Sequence, residues 1–183
     1  MAFYVRNNLL SPVDKFLKNI FDYMTALLLI LLFSPLLILL YSIVYFSTNG
    51  HPLFKHRRIG LNGKKFNVYK FRTMYIDADK RLEELLEEDE EIRIEWENDF
   101  KLKNDPRITK VGNFLRRTSL DELPQLINVL QGKMSLIGPR PIVDQEIAKY
   151  GEYFDYFTAV KPGITGLWQV SGRNDVDYDE RVQ

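Results

Sequence analysis

The chain has 183 residues, 45% of them hydrophobic, and its 25 acidic residues balance its 25 basic residues. This length suits one domain with an accessory segment, and the composition is sufficient for a hydrophobic core. The absence of cysteine excludes disulfides and thiolate metal sites, and the presence of only two histidines argues against a zinc centre. We therefore expect any metal to be a hard, oxygen-liganded ion such as Mg²⁺.

The neutral net charge conceals an uneven distribution along the chain. Residues 77–99 hold 12 acidic and 3 basic residues, which leaves 22 basic against 13 acidic residues elsewhere, a net charge of +9. A basic body of this kind suits an anionic partner such as a phosphate, a nucleotide, a nucleic acid or a lipid headgroup. Nucleic acid is disfavoured as a partner, because the aromatic residues do not interleave with the basic ones in a recognisable binding pattern.

Residues 24–46 form an uncharged run of 23 residues, which predicts a membrane segment. A helix of this length would measure about 35 Å and is able to cross the ~30 Å hydrocarbon layer. Pro35, however, removes one hydrogen bond in the middle of the run, at about 3 kcal/mol in an ordinary helix, and the Ser34 hydroxyl can compensate the freed carbonyl. Each arm beside such a break reaches only half way through the bilayer.

Two topologies are compatible with this run, a kinked span and a re-entrant helix-break-helix that enters and leaves on one side. Lys15 and Lys18 precede the run, and residues 55–58 contain three further basic residues. Because a crossing helix should have its basic flank on the cytoplasmic side, basic residues on both flanks favour the re-entrant hairpin. Upstream, residues 13–22 alternate apolar and charged positions at helical spacing, which predicts an interfacial amphipathic helix.

The polar part of the chain begins with a predicted β-hairpin. Residues 64–72 alternate apolar and polar positions, directly after a glycine-containing turn at residues 60–63. Lys70 and Arg72 fall on one face of the second strand, where they either bind a phosphate together or form a solvated face. The acidic residues 77–99 have an imperfect apolar stripe, which predicts helix.

Residues 116–125, Arg-Arg-Thr-Ser-Leu-Asp-Glu-Leu-Pro-Gln, place two adjacent carboxylates between a pair of arginines and a predicted helix start. Arginines and a helix N-terminus bind phosphates, and a carboxylate is a competent nucleophile toward phosphorus, so Asp121 and Glu122 are candidate catalytic residues. The structural alternative is a capping box between Ser119 and Glu122. Pro124 favours a helix that starts later and leaves both acids ahead of it.

The C-terminal part contains two further candidate sites. Residues 123–130 are predicted to be helical, with Gly132 as the C-cap. Arg140 lies between two prolines that limit its motion, which fits either a preorganised anion contact or a rigid turn with a solvated arginine. Residues 161–174, which include Arg173, form a glycine-rich region that could hold a nucleotide or a sugar, although its spacing matches neither a Walker A loop nor a dinucleotide fingerprint.

Together these features resemble the monotopic phosphoglycosyl transferases, bacterial enzymes that begin glycan assembly by moving a sugar 1-phosphate from a nucleotide diphosphate sugar to polyprenyl phosphate. The resemblance covers nearly the whole chain. It rests on five ordered motifs: the apolar run broken at Ser34 and Pro35, the strand Lys70-Phe71-Arg72-Thr73-Met74, the block 118–125, the turn 139–141 and the loop 162–174.

The resemblance implies a catalytic dyad at Asp121 and Glu122. Asp121 would attack the sugar-bearing phosphate of a UDP-sugar, release UMP, and hold a phospho-sugar until undecaprenyl phosphate takes it. Mg²⁺ associated with Asp121 would shield the diphosphate, and Glu122 would assist as an acid/base or supporting group. The substrate-binding residues that the resemblance and the motifs suggest are Lys70, Arg72, Arg116, Arg140 and Arg173.

Two details resemble the larger members of that family, which transfer galactose 1-phosphate: the acidic insertion leading to residues 102–109, and the ending 171–178. UDP-galactose is therefore the expected donor, with UDP-glucose close behind. The expected role is the start of exopolysaccharide, capsule or O-antigen assembly at the cytoplasmic face of the bacterial inner membrane. Because such members usually continue past the position of Gln183, we expect this chain to be a fragment of a larger protein. The sequence leaves the oligomeric state open.

The expected fold is mainly α with a short β-hairpin, in a monotopic membrane protein. Residues 1–50 would form the interfacial helix and the re-entrant membrane hairpin, and residues 51–183 the cytoplasmic catalytic domain. Two rival functions remain open at this point. A membrane-anchored lipid-binding or scaffold protein would use Asp121 only as a helix cap, without metal-dependent chemistry. A metal-dependent hydrolase of lipid-linked diphosphates would use the same cations and release free sugar phosphate.

Overall fold

The computed structural model describes residues 11–48, 50–99, 102 and 104–166, and these are mainly helical, as predicted. Within these described ranges, short 3₁₀ turns lie between the regular elements, at Leu61–Gly63, Leu120–Glu122, Asp144–Glu146 and Gly151–Tyr153. In chain order the described helices and strands are α1 (Pro12–Thr48), β1 (Leu53–Ile59), β2 (Lys65–Phe71), α2 (Ala78–Glu88), α3 (Glu90–Asp99), α4 (Lys110–Thr118), α5 (Gln125–Leu130), β3 (Ser135–Ile137), α6 (Ile147–Tyr150), α7 (Phe154–Thr158) and β4 (Gly163–Thr165).

The contacts of the described residues divide them into two compact units. The first unit contains residues 11–34, 55–69 and 124–166, and the second contains residues 35–48, 50–54, 70–99, 102 and 104–123. The boundary falls within α1 and within both strands of the β1–β2 hairpin. The sequence predicted a division of another kind, by function, with a membrane segment before residue 50 and a catalytic domain after it. That division stays a prediction.

Helix α1 is 37 residues long and contains the predicted membrane run. Its most apolar 18-residue window has a mean hydropathy of 2.8, and 11% of that window is buried. A core helix of a soluble protein would be mostly buried, whereas here large apolar side chains such as Leu32 and Ile38 are 66% and 68% exposed. By length and composition, α1 is able to cross a membrane.

Helix α1 runs without interruption from the predicted interfacial segment into the apolar run, so these belong to one element rather than two, and it continues through Pro35, where a break between two helices was predicted. Pro35 has no N–H for the Leu31 carbonyl, and the Ser34 hydroxyl donates to that carbonyl at 2.9 Å. This is the compensation that the sequence predicted. Ser42 and Thr48 also turn their hydroxyls back onto carbonyls one turn earlier, so these polar groups are satisfied within the helix.

The β-hairpin is confirmed, and Asn62 and Gly63 account for its turn. Asn62 and Gly63 both adopt left-handed backbone angles, with φ of 55° and 71°. Asn-Gly is the pair that tolerates such angles in tight hairpins, because glycine has no Cβ and asparagine accepts the left-handed region. The Gly60 N–H donates to the Lys64 carbonyl at 2.9 Å and closes the turn.

The first unit has two apolar clusters. Ala26 of α1 packs with Val68 of β2 and with residues of α5 and its following loop, while Ile59, Ile142 and Tyr150 form the second cluster. A second small sheet, which the sequence analysis did not predict, pairs β3 with β4 in parallel. Three-residue strands are too short to show a recognisable period in sequence.

The second unit is built around the other half of α1. Leu40 and Val44 of α1 pack with Phe71 of β2 and Leu115 of α4. The acidic segment is helical as predicted, and it divides into α2 and α3 at Asp89. The Asp89 carboxylate accepts the N–H groups of residues 91 and 92 at 2.9 and 3.1 Å, which caps α3.

Asn128 of α5 provides a test of how the first unit is held together. It is fully buried; its side-chain oxygen accepts the Tyr69 N–H at 2.9 Å, and its amide donates to the Asn67 carbonyl at 2.7 Å. Asn128→Leu keeps the size but leaves both strand groups unpaired, so we expect the free energy of unfolding to fall by about 2–4 kcal/mol in urea titrations of the detergent-solubilised protein. The exposed Asn113→Leu should change it by less than about 0.5 kcal/mol, and an equal effect of both variants would contradict this role.

Candidate active site

The two candidate catalytic acids lie in a tight turn that follows α4. Helix α4 ends at Thr118, because Ser119 adopts left-handed angles (φ 58°) and its N–H donates back to the Arg116 carbonyl. Asp121 and Glu122 then fall in a 3₁₀ turn, and α5 starts only at Gln125. The prediction that both acids precede the helix is confirmed. The capping-box alternative is wrong, since the Ser119 side chain makes no capping hydrogen bond and this residue ends α4 instead.

The Asp121 carboxylate is buried, with the residue only 9% exposed. Burial raises the pKa of Asp121, because the charged form loses hydration, and the adjacent Glu122 raises this pKa further. Lys70 and Arg116 act in the opposite direction, with Lys70 the stronger of the two. The carboxylate therefore keeps a raised pKa despite two neighbouring cations, which is the environment of a group poised for chemistry rather than for stability.

Strand β2 brings Lys70 to this turn. The Lys70 ammonium donates to the Glu122 carboxylate at 2.6 Å, and both side chains are about one-third exposed. A partly exposed pair contributes little to stability, on the order of 1 kcal/mol or less. Its main consequence is geometric, since it fixes one cation and one carboxylate next to Asp121 while leaving both accessible.

Arg116 reaches the same turn from α4, and Thr73 fixes its orientation. The Arg116 Nε–H donates to the Thr73 hydroxyl at 2.9 Å. Burial lowers the pKa of Arg116, while Asp121 and Asp105 counteract that shift. Because one face of the guanidinium is held by a neutral hydroxyl, its remaining N–H groups can point at an anion.

Thr73 also anchors the start of α4. Its carbonyl accepts the Thr109 N–H at 3.0 Å, and Thr109 caps α4 by accepting the Gly112 N–H at 2.8 Å. A Cβ on Gly112 would lie 1.9 Å from the Thr73 carbonyl oxygen, so only glycine allows this close approach. Thr73 belongs to the 70–74 motif but had no predicted role; its position directly after Arg72, a candidate cation, was the available signal.

A third acidic side chain in this unit, Asp105, is fully engaged elsewhere. Arg107 donates to both of its carboxylate oxygens, at 2.8 and 2.7 Å, and the Arg107 guanidinium lies 4.9 Å from the centre of the Trp96 ring. Burial alone would raise the pKa of Asp105, but the hydrogen bonds from Arg107 lower it overall. This buried pair supports the chain before α4 and was not predicted.

The remaining predicted residues have other surroundings. Arg72 donates to the His51 carbonyl at 2.9 Å, and its guanidinium lies over the Phe54 ring, 5.8 Å from the ring centre, so Lys70 and Arg72 have different partners. Arg140 belongs to the first unit, in a turn whose backbone pairs with β4 through Gly163 N–H to Pro139 carbonyl at 2.8 Å. Arg173 lies outside the described residues.

The acids of the turn set a limit on how a metal ion can bind. Within the part of the chain that the structure describes, no group of three or more histidine and carboxylate side chains is placed to hold a metal. Asp121 and Glu122 offer two adjacent carboxylates, and Mg²⁺ is commonly held by one or two carboxylates together with substrate phosphates. The pair therefore fits a magnesium ion that binds along with a diphosphate, and it does not fit an all-protein cage.

Comparison with known proteins assigns the chain to a family. A model described as bacterial sugar transferase matches residues 13–183. Over its whole length the chain is 54% identical to the undecaprenyl-phosphate galactose phosphotransferase of Salmonella typhimurium and to an uncharacterized sugar transferase of Haemophilus influenzae, and it spans 38% of each. It is 47% identical, over 93% of its length and 76% of the relative, to the exopolysaccharide production protein ExoY of Rhizobium meliloti.

The raised pKa of Asp121 has a consequence for stability that can be measured. A carboxyl whose pKa is higher in the folded than in the unfolded state lowers the free energy of unfolding as the pH rises. The loss begins near the ordinary pKa of 3.8 and is complete above the folded-state pKa. Asp121→Asn removes that charge and keeps the shape, so we expect a higher Tm at pH 7, with a gain that shrinks as the pH falls toward 3.8. Asp144→Asn, at an exposed acid paired with Lys65, should show no gain. A lower Tm of Asp121→Asn at pH 7 would mean that the carboxylate stabilises the fold.

Proposed function

The chain belongs to the bacterial sugar transferase family, and from that premise we propose that it transfers a sugar 1-phosphate from a UDP-sugar to undecaprenyl phosphate through a covalent intermediate on Asp121. One observation carries the proposal. The Asp121 carboxylate is buried in a turn beside the partly exposed side chains of Lys70 and Glu122, and the cations Lys70 and Arg116 act on its charge. Cations and a nucleophile at one point are what displacement at a diphosphate requires.

The reaction has two displacements at one phosphorus atom. In the first, an Asp121 carboxylate oxygen attacks the sugar-bearing phosphorus, an aspartyl phospho-sugar bond forms, the bond to the bridging oxygen breaks, and UMP leaves with that oxygen. In the second, a phosphate oxygen of undecaprenyl phosphate attacks the same phosphorus and Asp121 leaves as a free carboxylate. The product is a lipid-linked diphosphate sugar, and one phosphoanhydride bond replaces another. This is covalent, ping-pong catalysis.

Each neighbour of Asp121 has a distinct part in this scheme. Arg116, oriented by Thr73, binds phosphate oxygens and stabilises the charge that develops on them. Lys70 holds Glu122 and adds positive charge at the accessible rim of the turn. Glu122 keeps a carboxylate beside the attacking group, where it supports proton movement or the binding of the metal ion. Magnesium, bound along with the donor at the Asp121 and Glu122 carboxylates, would shield the diphosphate charge.

Donor and acceptor follow from the relatives and are proposals, because the chain spans only 38% of the first relatives' length. The 54% identity to a galactose phosphotransferase favours UDP-galactose, and the likeness to an exopolysaccharide production protein favours a role at the start of surface polysaccharide assembly. Hexose epimers differ by the direction of one hydroxyl, so the identity of the sugar is the most specific part of this proposal.

We also propose that α1 enters the cytoplasmic face of the inner membrane as a re-entrant segment. Its apolar side chains are exposed, Ser34 and Pro35 lie in its middle, and basic residues flank the apolar run on both sides. A bend at Pro35 would let each arm of about 15 Å reach half way into the hydrocarbon and keep both basic flanks on the cytoplasmic side.

The covalent scheme makes a clear demand on Asp121. With UDP-galactose and Mg²⁺ but no lipid acceptor, the protein should release a single UMP per molecule and stop, because the phospho-sugar stays on Asp121. Asp121→Asn should reduce UMP release by about 1,000-fold or more, since an amide cannot form the acyl phosphate. Asp144→Asn is the matched control and should leave the burst unchanged.

Continuous UMP release without acceptor would indicate a hydrolase. UMP release by Asp121→Asn at the wild-type level would show that Asp121 is not the nucleophile. Absence of release from every UDP-sugar, in protein that binds Mg²⁺ and donor, would favour the scaffold function.

The absence of cysteine makes the topology directly testable. Asp14→Cys and Lys55→Cys place single thiols at exposed positions before and after the apolar run. If α1 is re-entrant, a membrane-impermeant maleimide should label both thiols in inside-out vesicles and neither in right-side-out vesicles. Labelling of the two thiols from opposite sides would instead establish a span.

A further inference from the structure

The first unit contains a cavity of about 220 Å³ between the N-terminal half of α1 and the segments on either side of the β3–β4 pair. Helix α1 contributes Lys15, Lys18, Asn19 and Asp22, which recur at positions i, i+3, i+4 and i+7 and so share one face of the helix. Residues 137–139 and 159–161 form the opposite wall. None of these positions has a part in the transfer reaction proposed above.

The charges in this cavity do not cancel. Asp22 is buried and fully engaged: Lys18 forms an ion pair with it, the Ser135 hydroxyl donates to it at 2.7 Å, and the Leu136 N–H donates at 3.3 Å. Lys18 therefore neutralises Asp22. Two further ammonium groups, Lys15 and Lys161, line the same space, and among the described residues neither forms an ion pair with a carboxylate.

Lys161 is the deeper of these two cations. Its ammonium donates to the Asn19 side-chain oxygen at 2.7 Å and lies 5.7 Å from the centre of the Tyr23 ring. Burial lowers the pKa of Lys161, and Asp22 only partly counteracts that shift. A half-buried ammonium with a neutral partner gains most from an added anion, because the interaction is less screened there than at the surface.

The rest of the cavity wall is largely apolar, so a free inorganic ion would leave much of it unfilled. Ile137 lines the space and is 62% exposed, and on the other side of α1 the apolar residues Phe16, Leu17 and Phe21 are also exposed. An anionic group with a hydrocarbon chain attached matches both parts of this surface. The volume is below the roughly 300–1,000 Å³ of sites that enclose drug-sized ligands, which argues against a nucleotide sugar.

We propose that this cavity binds the phosphate headgroup of an anionic membrane glycerophospholipid, with the phosphate between Lys15 and Lys161 and the start of an acyl chain against the apolar wall. The proposal rests on the membrane placement of α1 given above. A bound anionic lipid would fasten the N-terminal half of α1 at the headgroup layer, where the paired lysines compensate the headgroup charge.

The test measures binding of dihexanoyl phosphatidylglycerol to the full chain in neutral detergent, below the concentration at which this short-chain lipid forms micelles. Without an anionic surface, general attraction to a membrane does not contribute. We expect saturable binding with one lipid per chain. Lys15→Gln should weaken it about fivefold, and Lys55→Gln, an equal charge change at an exposed position outside the cavity, should leave it unchanged.

A second variant, Ala159→Phe, fills the cavity without changing its charge and should also weaken binding, which separates the apolar contribution from the ionic one. Equal losses in Lys15→Gln and Lys55→Gln would overturn the proposal. So would equally tight binding of dihexanoyl phosphatidylcholine or of inorganic phosphate. A raised KM for undecaprenyl phosphate in Lys15→Gln, without phosphatidylglycerol present, would assign the cavity to the lipid acceptor instead. The binding measurement contains no UDP-sugar, so its result does not depend on whether the proposed transfer reaction is correct.

Discussion

Asp121 loses most of its hydration in the turn after α4, and the protein replaces that hydration with two cations from different elements. This replacement of water by charged side chains constrains the second unit as a whole. Strand β2 must present Lys70, α4 must present Arg116, and Thr73 must hold both Arg116 and the start of α4. Gly112 permits the backbone contact that makes this possible. Burial of the carboxylate costs stability, which makes Asp121 a candidate for chemistry rather than for structural support.

Helix α1 combines an exposed apolar surface with a part in the hydrophobic core of each unit. Ala26 in its first half belongs to the core of the first unit, and Leu40 and Val44 in its second half belong to the core of the second. Many of its other apolar side chains are exposed, and the hydroxyls of Ser34 and Ser42 donate to carbonyls of the same helix, so its outer surface suits hydrocarbon. One element therefore contributes residues to both cores and also exposes an apolar surface.

Local chemistry predicted the parts of the fold that depend on a few neighbouring residues. Asn62 and Gly63 specify the hairpin turn, and Pro124 places both acids ahead of α5. Pro35 was expected to divide the run into two elements, but one helix continues through it, and the Ser34 hydroxyl donates to the Leu31 carbonyl that Pro35 leaves without a backbone donor. The contacts that orient the candidate active site and the cavity of the first unit could not be predicted, because they join residues far apart in sequence: Arg116 and Thr73 in the site are separated by 43 positions, and Ser135 and Asp22 at the cavity by 113.

The central claim is that Asp121 carries the phospho-sugar, and tandem mass spectrometry tests it most directly. The protein would be mixed with UDP-galactose and Mg²⁺, quenched in acid without lipid acceptor, digested and sequenced. The account predicts one added hexose phosphate on the peptide that contains Asp121, with fragment ions placing it on that residue rather than on Glu122. Addition of undecaprenyl phosphate before the quench should remove it. A hexose phosphate on any other residue, or UMP released with no adduct on the protein, would contradict the account.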